Sequence, residues 1–139
     1  MIRTLAHTCF VVADLARTEK FYCEVLGLRL AFEFTDAVGK RTGIYIACGD
    51  RSFLEFFRFR GDPQPNNPDG SFRHICLEVD DLDAMIARLT ERHVDVTGHQ
   101  LGGDGSWQAW IRDPDGNRIE LHQYTPQSKQ TIALEKAST

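Results

Sequence analysis

Short apolar runs and polar breaks alternate along the chain, and the period of the runs predicts its elements in turn. Residues 5–12 alternate on a two-residue period and predict a strand. Asp14 then stands where a helix cap belongs, Leu15, Phe21, Tyr22, Val25 and Leu26 recur at helical spacing, and Gly27 is placed to end that helix. Three further apolar segments, near 28–36, 42–49 and 53–60, are rich in aromatic and β-branched residues and are separated by turn formers such as AVGK and CGDRS. The order is βαβββ. RGDPQPNNPDGS, from Arg60, carries three prolines and two glycines and predicts a linker over residues 61–71. The pattern then restarts with a strand over 72–79, a helix from Leu82 to about Arg92 carrying Met85, Ile86 and Leu89, and strands near 94–101, 106–113 and 118–124. DPDGN joins the last two as a hairpin. The expected organisation is α+β: a first βαβββ module over 1–60, a second over 72–124, and a loose polar tail over 125–139.

The restart is also an internal repeat. HTCFVVADL, from His7, laid over HICLEVDDL, from His74, gives identical His, Cys, Val, Asp and Leu, and FLEFF with Glu55 lies over RIELH with Glu120. His7 and Glu55 are 48 residues apart, His74 and Glu120 are 46 apart. Each half therefore opens with a His strand and closes with a Glu strand. A carboxylate inside an apolar strand is costly unless something pairs with it.

Composition narrows the partner. A formal charge of −4 with no basic block provides no electrostatic footprint for nucleic acid, which makes a small molecule the expected partner. No apolar run approaches the roughly 20 residues of a membrane span, and the N-terminus lacks a secretory layout, so the expected location is cytoplasmic. Cys9, Cys23, Cys48 and Cys76 show no CxxC spacing and read as reduced, mostly buried thiols.

HTCFVVADLARTEKFYCEVLGLRL, HICLEVDDLD and DPDGNRIELHQ together resemble the vicinal oxygen chelate superfamily, the glyoxalase and bleomycin-resistance group, over roughly residues 4–124. The resemblance implies two βαβββ modules forming a U-shaped mixed sheet around a metal, with one ligand from each outer strand: His7, Glu55, His74 and Glu120. Two imidazoles and two carboxylates suit a divalent first-row metal (Ni, Co, Mn, Zn or Fe) and can leave positions open on an octahedral ion. Cys9, Phe57, Cys76 and His122 lie two residues beyond these positions and are expected on the same strand faces, as substrate-pocket residues. His122 either holds Glu120 or touches substrate, or is an exposed residue near the end of an edge strand. Cys9 and Cys76 also read as small core residues, His93 and His99 as solvated, and Asp80, Asp81 and Asp83 as helix N-terminal residues. Trp107 and Trp110 fall on opposite faces of one strand.

Within that group the His, Glu, His, Glu order resembles bacterial glyoxalase I. This implies a lyase or isomerase of the lactoylglutathione lyase type, with proton transfer by Glu120 through a metal-bound enediolate and Glu55 chiefly a ligand. Two positions depart from that pattern: Val11 stands where an Arg gripping glutathione is usual, and Phe59 where an Asn is usual. The substrate is therefore open between a glutathione adduct and another hydroxy carbonyl or sugar-derived compound, with Arg17, Arg41, Arg58 and Arg73 as candidate replacement anchors. The alternatives are an extradiol-type dioxygenase using His7, His74 and Glu120, against which Glu55 argues, and a metal-free drug-binding resistance protein. The family also implies a homodimer in which the metal site is shared between subunits.

Overall fold

Strand β1 (His7–Val12) runs into helix α1 (Leu15–Glu19) because Asp14 adopts an extended backbone and its carboxylate accepts from the Ala16 and Arg17 amides at 2.8 and 3.1 Å. The helix continues as a π-helical segment over Lys20–Val25, and Gly27, at a φ of 85°, turns the chain into β2 (Arg29–Thr35), β3 (Arg41–Cys48) and β4 (Ser52–Arg58). In this computed structural model the described residues are 2–59 and 71–137, so most of the expected linker lies outside them. β5 (Ile75–Glu78), α2 (Leu82–Glu91), β6 (Gln100–Leu101), β7 (Trp107–Arg112), β8 (Arg118–Gln123) and α3 (Lys129–Ala137) follow. The chain divides into two compact units, Met1–Asn67 and Pro68–Thr139. Each holds a four-stranded mixed sheet, ordered β1-β4-β3-β2 and β5-β8-β7-β6, so the fold is α+β and consists of two βαβββ modules.

One face of each sheet is covered by its helix. In the first module Phe10, Val12, Ile44, Ile46, Leu54 and Phe56 meet Leu15, Phe21, Tyr22 and Leu26, with Phe56 stacked on Phe10 and tilted against Tyr22 at 5.3 and 4.7 Å between ring centroids. In the second, Ile75, Ala109, Ile111, Ile119 and Leu121 are buried with Leu82 and Leu89 of α2, which Asp81 caps through the Ala84 amide. Asp113 closes the DPDGN hairpin, accepting from the Asp115 and Asn117 amides at 2.9 and 2.8 Å.

Three expectations change. The strand expected over 94–101 shrinks to Gln100–Leu101, because Trp110 N–H donates to the Thr97 hydroxyl at 2.8 Å and the ladder is interrupted there. The tail expected to be loose forms α3. No residue of that helix is buried, and it is tied instead by hydrogen bonds from its first turn to the 102–106 loop. The Glu strands β4 and β8 are interior, each between its module's first strand and its neighbour, so of the strands expected to carry ligands only β1 and β5 are outer strands. No helix among the described residues is long and apolar enough to cross a membrane.

Phe56→Ala is expected to cost about 3–5 kcal/mol in urea unfolding, whereas Val11→Ala, on the uncovered face, should stay within about 0.5 kcal/mol. Equal losses would contradict this division into a packed and an open face.

Candidate functional site

The strand period that sends Phe10 and Val12 into the first core turns His7, Cys9 and Val11 to the open face. Cys9 is the register partner of Glu55, which is only 9% exposed although it lies on that face. Its Oε2 is 3.4 Å from His7 Nε2. Tyr45, opposite Glu55 on β3, sets its hydroxyl 3.4 Å from His7 Nδ1 and meets the imidazole edge-on. The second module repeats the arrangement. Cys76 partners Glu120, which is 8% exposed, and Glu120 Oε2 is 3.1 Å from His74 Nε2. Trp110, opposite Glu120 on β7, meets the His74 ring edge-on at 4.8 Å and carries the Arg118 guanidinium over its own face at 4.4 Å. Trp107 points to the other side of β7, as its period requires.

Each module thus brings one imidazole nitrogen and one desolvated carboxylate together. Such an N/O donor pair fits a divalent cation, which would satisfy the buried charge. Arg41 follows a register shift between Phe34 and Thr35, and its guanidinium pairs with Glu19 at 2.6 Å and Glu33 at 2.8 Å while lining, together with Arg58, the cavity at the Phe57 end of β4. Val11 and Phe59 are exposed, so the two positions where polar anchors are usual present apolar side chains.

Beyond the paired donors the two open faces differ. In the first module Phe32 stacks on Tyr45 at 4.5 Å, Phe34 stacks on Phe57 at 5.5 Å, and Phe53 lies 5.7 Å from Tyr45, forming a five-ring array beside Glu55. A cavity of about 800 Å³ opens at the Phe57 end of β4, with Thr42 and Phe59 also in its wall. The second module has Gln108 and His122 in register where the first has Gly43 and Phe57.

Cys9 and Cys76 are exposed, which corrects their reading as core thiols: one face of each His strand is uncovered, and the period puts them on it. His122 is buried on an interior strand, which corrects its reading as an exposed edge residue. Its Nδ1 is 3.3 Å from Cys76 Sγ and its Nε2 3.2 Å from Asp104 Oδ2. Asp104 was missed by the sequence reading. It sits in the glycine-rich 102–106 loop, where it accepts from the Ser106 amide at 3.1 Å and from Gln130 Nε2 at 2.5 Å, and these bonds hold its carboxyl below the usual range. The polar pattern after Pro126 was the only available signal, because Gln130 comes from α3. His99 pairs with Asp83 at 2.6 Å and packs against Trp107, away from the site.

A family model described as the Glyoxalase/Bleomycin resistance protein/Dioxygenase superfamily matches residues 4–121. A probable lactoylglutathione lyase of Synechocystis is 30% identical over 125 residues, covering 86% of this chain and 94% of its own. The glutathione transferase FosA of Serratia marcescens is 28% identical over 123 residues, covering 88% and 82%. Among solved structures, TnmS3, an antibiotic binding protein from Streptomyces sp. CB03234, superposes with a TM-score of 0.72 at 32% identity, covering 89% of this chain and 98% of that one.

Burial and then the neighbouring Glu55 push the Cys9 thiol up to about 11, and burial and then Glu120 push Cys76 up to about 12. Both should therefore stay protonated at neutral pH in metal-free protein and alkylate with iodoacetamide more slowly than free cysteine, despite their exposure. An unfolded thiol ionises near about 8.5, so the same shifts make stability fall as pH rises above that value. Alkylation at the rate of free cysteine at neutral pH would contradict the assignment.

Proposed function

This chain belongs to the Glyoxalase/Bleomycin resistance protein/Dioxygenase superfamily, and we propose that within it the protein is a divalent-metal-dependent lyase or isomerase of the glyoxalase I type. The observation that carries the reading is the duplicated pair of a buried carboxylate with an imidazole nitrogen, His7 with Glu55 and His74 with Glu120. These four residues would hold the ion. When bound, it supplies Lewis-acid polarisation of adjacent substrate oxygens.

The chain's own groups divide the remaining work. Glu120 is the general base and acid: its carboxylate removes a proton from the carbon bearing one oxygen and returns it to the neighbouring carbon. It stands between Cys76 on β5 and Trp110 on β7, on the open face of the sheet. Glu55 stays a ligand, held between Cys9 and Tyr45. Cys9 and Phe57 in the first module, and Cys76 and His122 in the second, would be the substrate-pocket residues beside the donor pair of their own module. Apolar Val11 and Phe59 together with the engaged Arg41 favour a hydroxy carbonyl compound over a glutathione adduct. We place the protein in the cytoplasm as a homodimer in which the His7–Glu55 pair of one chain meets the His74–Glu120 pair of the other. A monomer in sedimentation that still binds metal tightly would exclude that arrangement.

A second reading is a metal-independent small-molecule binder. The five-ring face of the first module favours it, and a similar protein of solved structure is named an antibiotic binding protein.

Elemental analysis separates the two readings. Glu55→Ala and His74→Ala should each lose most of the metal, and unchanged occupancy would overturn the metal assignment. On reconstituted protein, turnover of methylglyoxal is to be measured with and without glutathione, alongside small hydroxy carbonyls. Glu120→Gln should lower kcat about 10²–10⁴-fold on whichever substrate is turned over. Retained turnover in that variant would remove Glu120 from the proton-transfer role.

A further inference from the structure

We propose that the second module contains a metal centre of its own, formed by Cys76, Glu120 and His122 and oriented by Asp104, which takes a thiophilic divalent cation such as zinc. It does not need His7 or Glu55, and of its three core donors only Glu120 belongs to the four-residue set described above.

The donors come together through strand register. Cys76 pairs with Glu120 and Glu78 with His122 across the parallel β5–β8 ladder, so Cys76, Glu120 and His122 occupy three adjacent positions on one sheet face. One sulfur, one carboxylate oxygen and one imidazole nitrogen lie within 4.8 Å of one another. That grouping is compact enough for one ion to bind all three after small side-chain rotations. His74 Nε2, 3.1 Å from Glu120 Oε2, stands near enough to supply a fourth donor.

His122 supplies the second, independent observation. Its ring is 7% exposed, its Nδ1 points at Cys76 Sγ, and its Nε2 faces the Asp104 carboxylate at 3.2 Å. A carboxylate beside one ring nitrogen is how ligating imidazoles are oriented; here Nε2 is buried at ion-pair distance from Asp104 without a formed hydrogen bond, and Nδ1 is the nitrogen turned toward Cys76. Asp104 is itself fixed by Gln130 of α3 and the Ser106 amide, so the polar C-terminal helix supports the centre from behind.

The duplication provides an internal control. The first module has Cys9 and Glu55 at the positions of Cys76 and Glu120, but Phe57 at the position of His122. The sulfur and carboxylate are present in both halves, whereas the imidazole with its carboxylate backing occurs only in the second. A thiolate among the donors selects zinc or cobalt over magnesium, calcium or manganese.

Cobalt(II) titration of the full-length protein tests this, with absorbance as the readout. A thiolate ligand produces a near-ultraviolet sulfur-to-cobalt charge-transfer band that nitrogen and oxygen ligands do not. The band is expected in the native protein and absent in Cys76→Ser; in His7→Ala and Glu55→Ala, which should lose the ion of the four-residue site as isolated, it should still form on addition of excess cobalt. Asp104→Asn should weaken cobalt affinity about 10–100-fold. Cys76 is exposed, so its serine variant should fold as the native chain does. Stoichiometric cobalt without the band, released by His7→Ala, would overturn this centre and leave the four-residue site standing. A band that persists in Cys76→Ser would overturn it by assigning the sulfur elsewhere, and failure to bind cobalt at all would overturn both.

Discussion

An ionised carboxylate taken out of water costs several kcal/mol unless a positive partner or a proton meets it, and this fold does so twice, at Glu55 and Glu120. Each sits on an interior strand, flanked by a cysteine on one side and an aromatic ring on the other, with an imidazole nitrogen 3.4 Å from Glu55 and 3.1 Å from Glu120. The rest of the architecture makes that burial possible. The helix of each module covers only the opposite sheet face, so the Glu face stays open to a ligand. The parallel β1–β4 ladder carries both His7 and Glu55, while His74 stands one residue before β5, beside the β8 strand that carries Glu120. A site built on sheet registers is stiff, which suits the positioning of a cation and a proton-transfer group.

The two modules share a backbone plan and have diverged in what their open faces display. The first surrounds its pair with rings, whose packing is apolar and geometrically defined. The second has Gln108, a guanidinium over Trp110, and the His122–Asp104 pair instead.

Much of this is legible in the amino-acid sequence. The two-residue period located His7, Cys9, Phe57, Cys76 and His122 relative to the buried carboxylates, because strand alternation is local. The repeat revealed both modules, because the same core pattern recurs in each. What escaped was non-local or carried no apolar signal. That β8 is interior, and so buries His122, depends on pairing with β5 more than 40 positions earlier in the chain. Helix α3 buries no side chain and is held by Ser, Thr and Gln hydrogen bonds, so it left no periodic apolar trace. Asp104 looked like one more loop residue until that helix fixed it toward His122. Cys9 and Cys76 were read as core because cysteine usually is, although the alternation already put them opposite Phe10 and Ile75.

The central claim is that a cation answers the charge buried at Glu55 and Glu120. Equilibrium unfolding of metal-free protein and of protein with a divalent ion at about a hundred times its dissociation constant tests it most directly. Native protein should gain about 2.7 kcal/mol, while the Glu55→Gln, Glu120→Gln double variant, with neither charge to answer, should gain little. Native protein that is unmoved by zinc, nickel, cobalt and manganese alike, or a double variant that gains as much as the native chain, would contradict the claim.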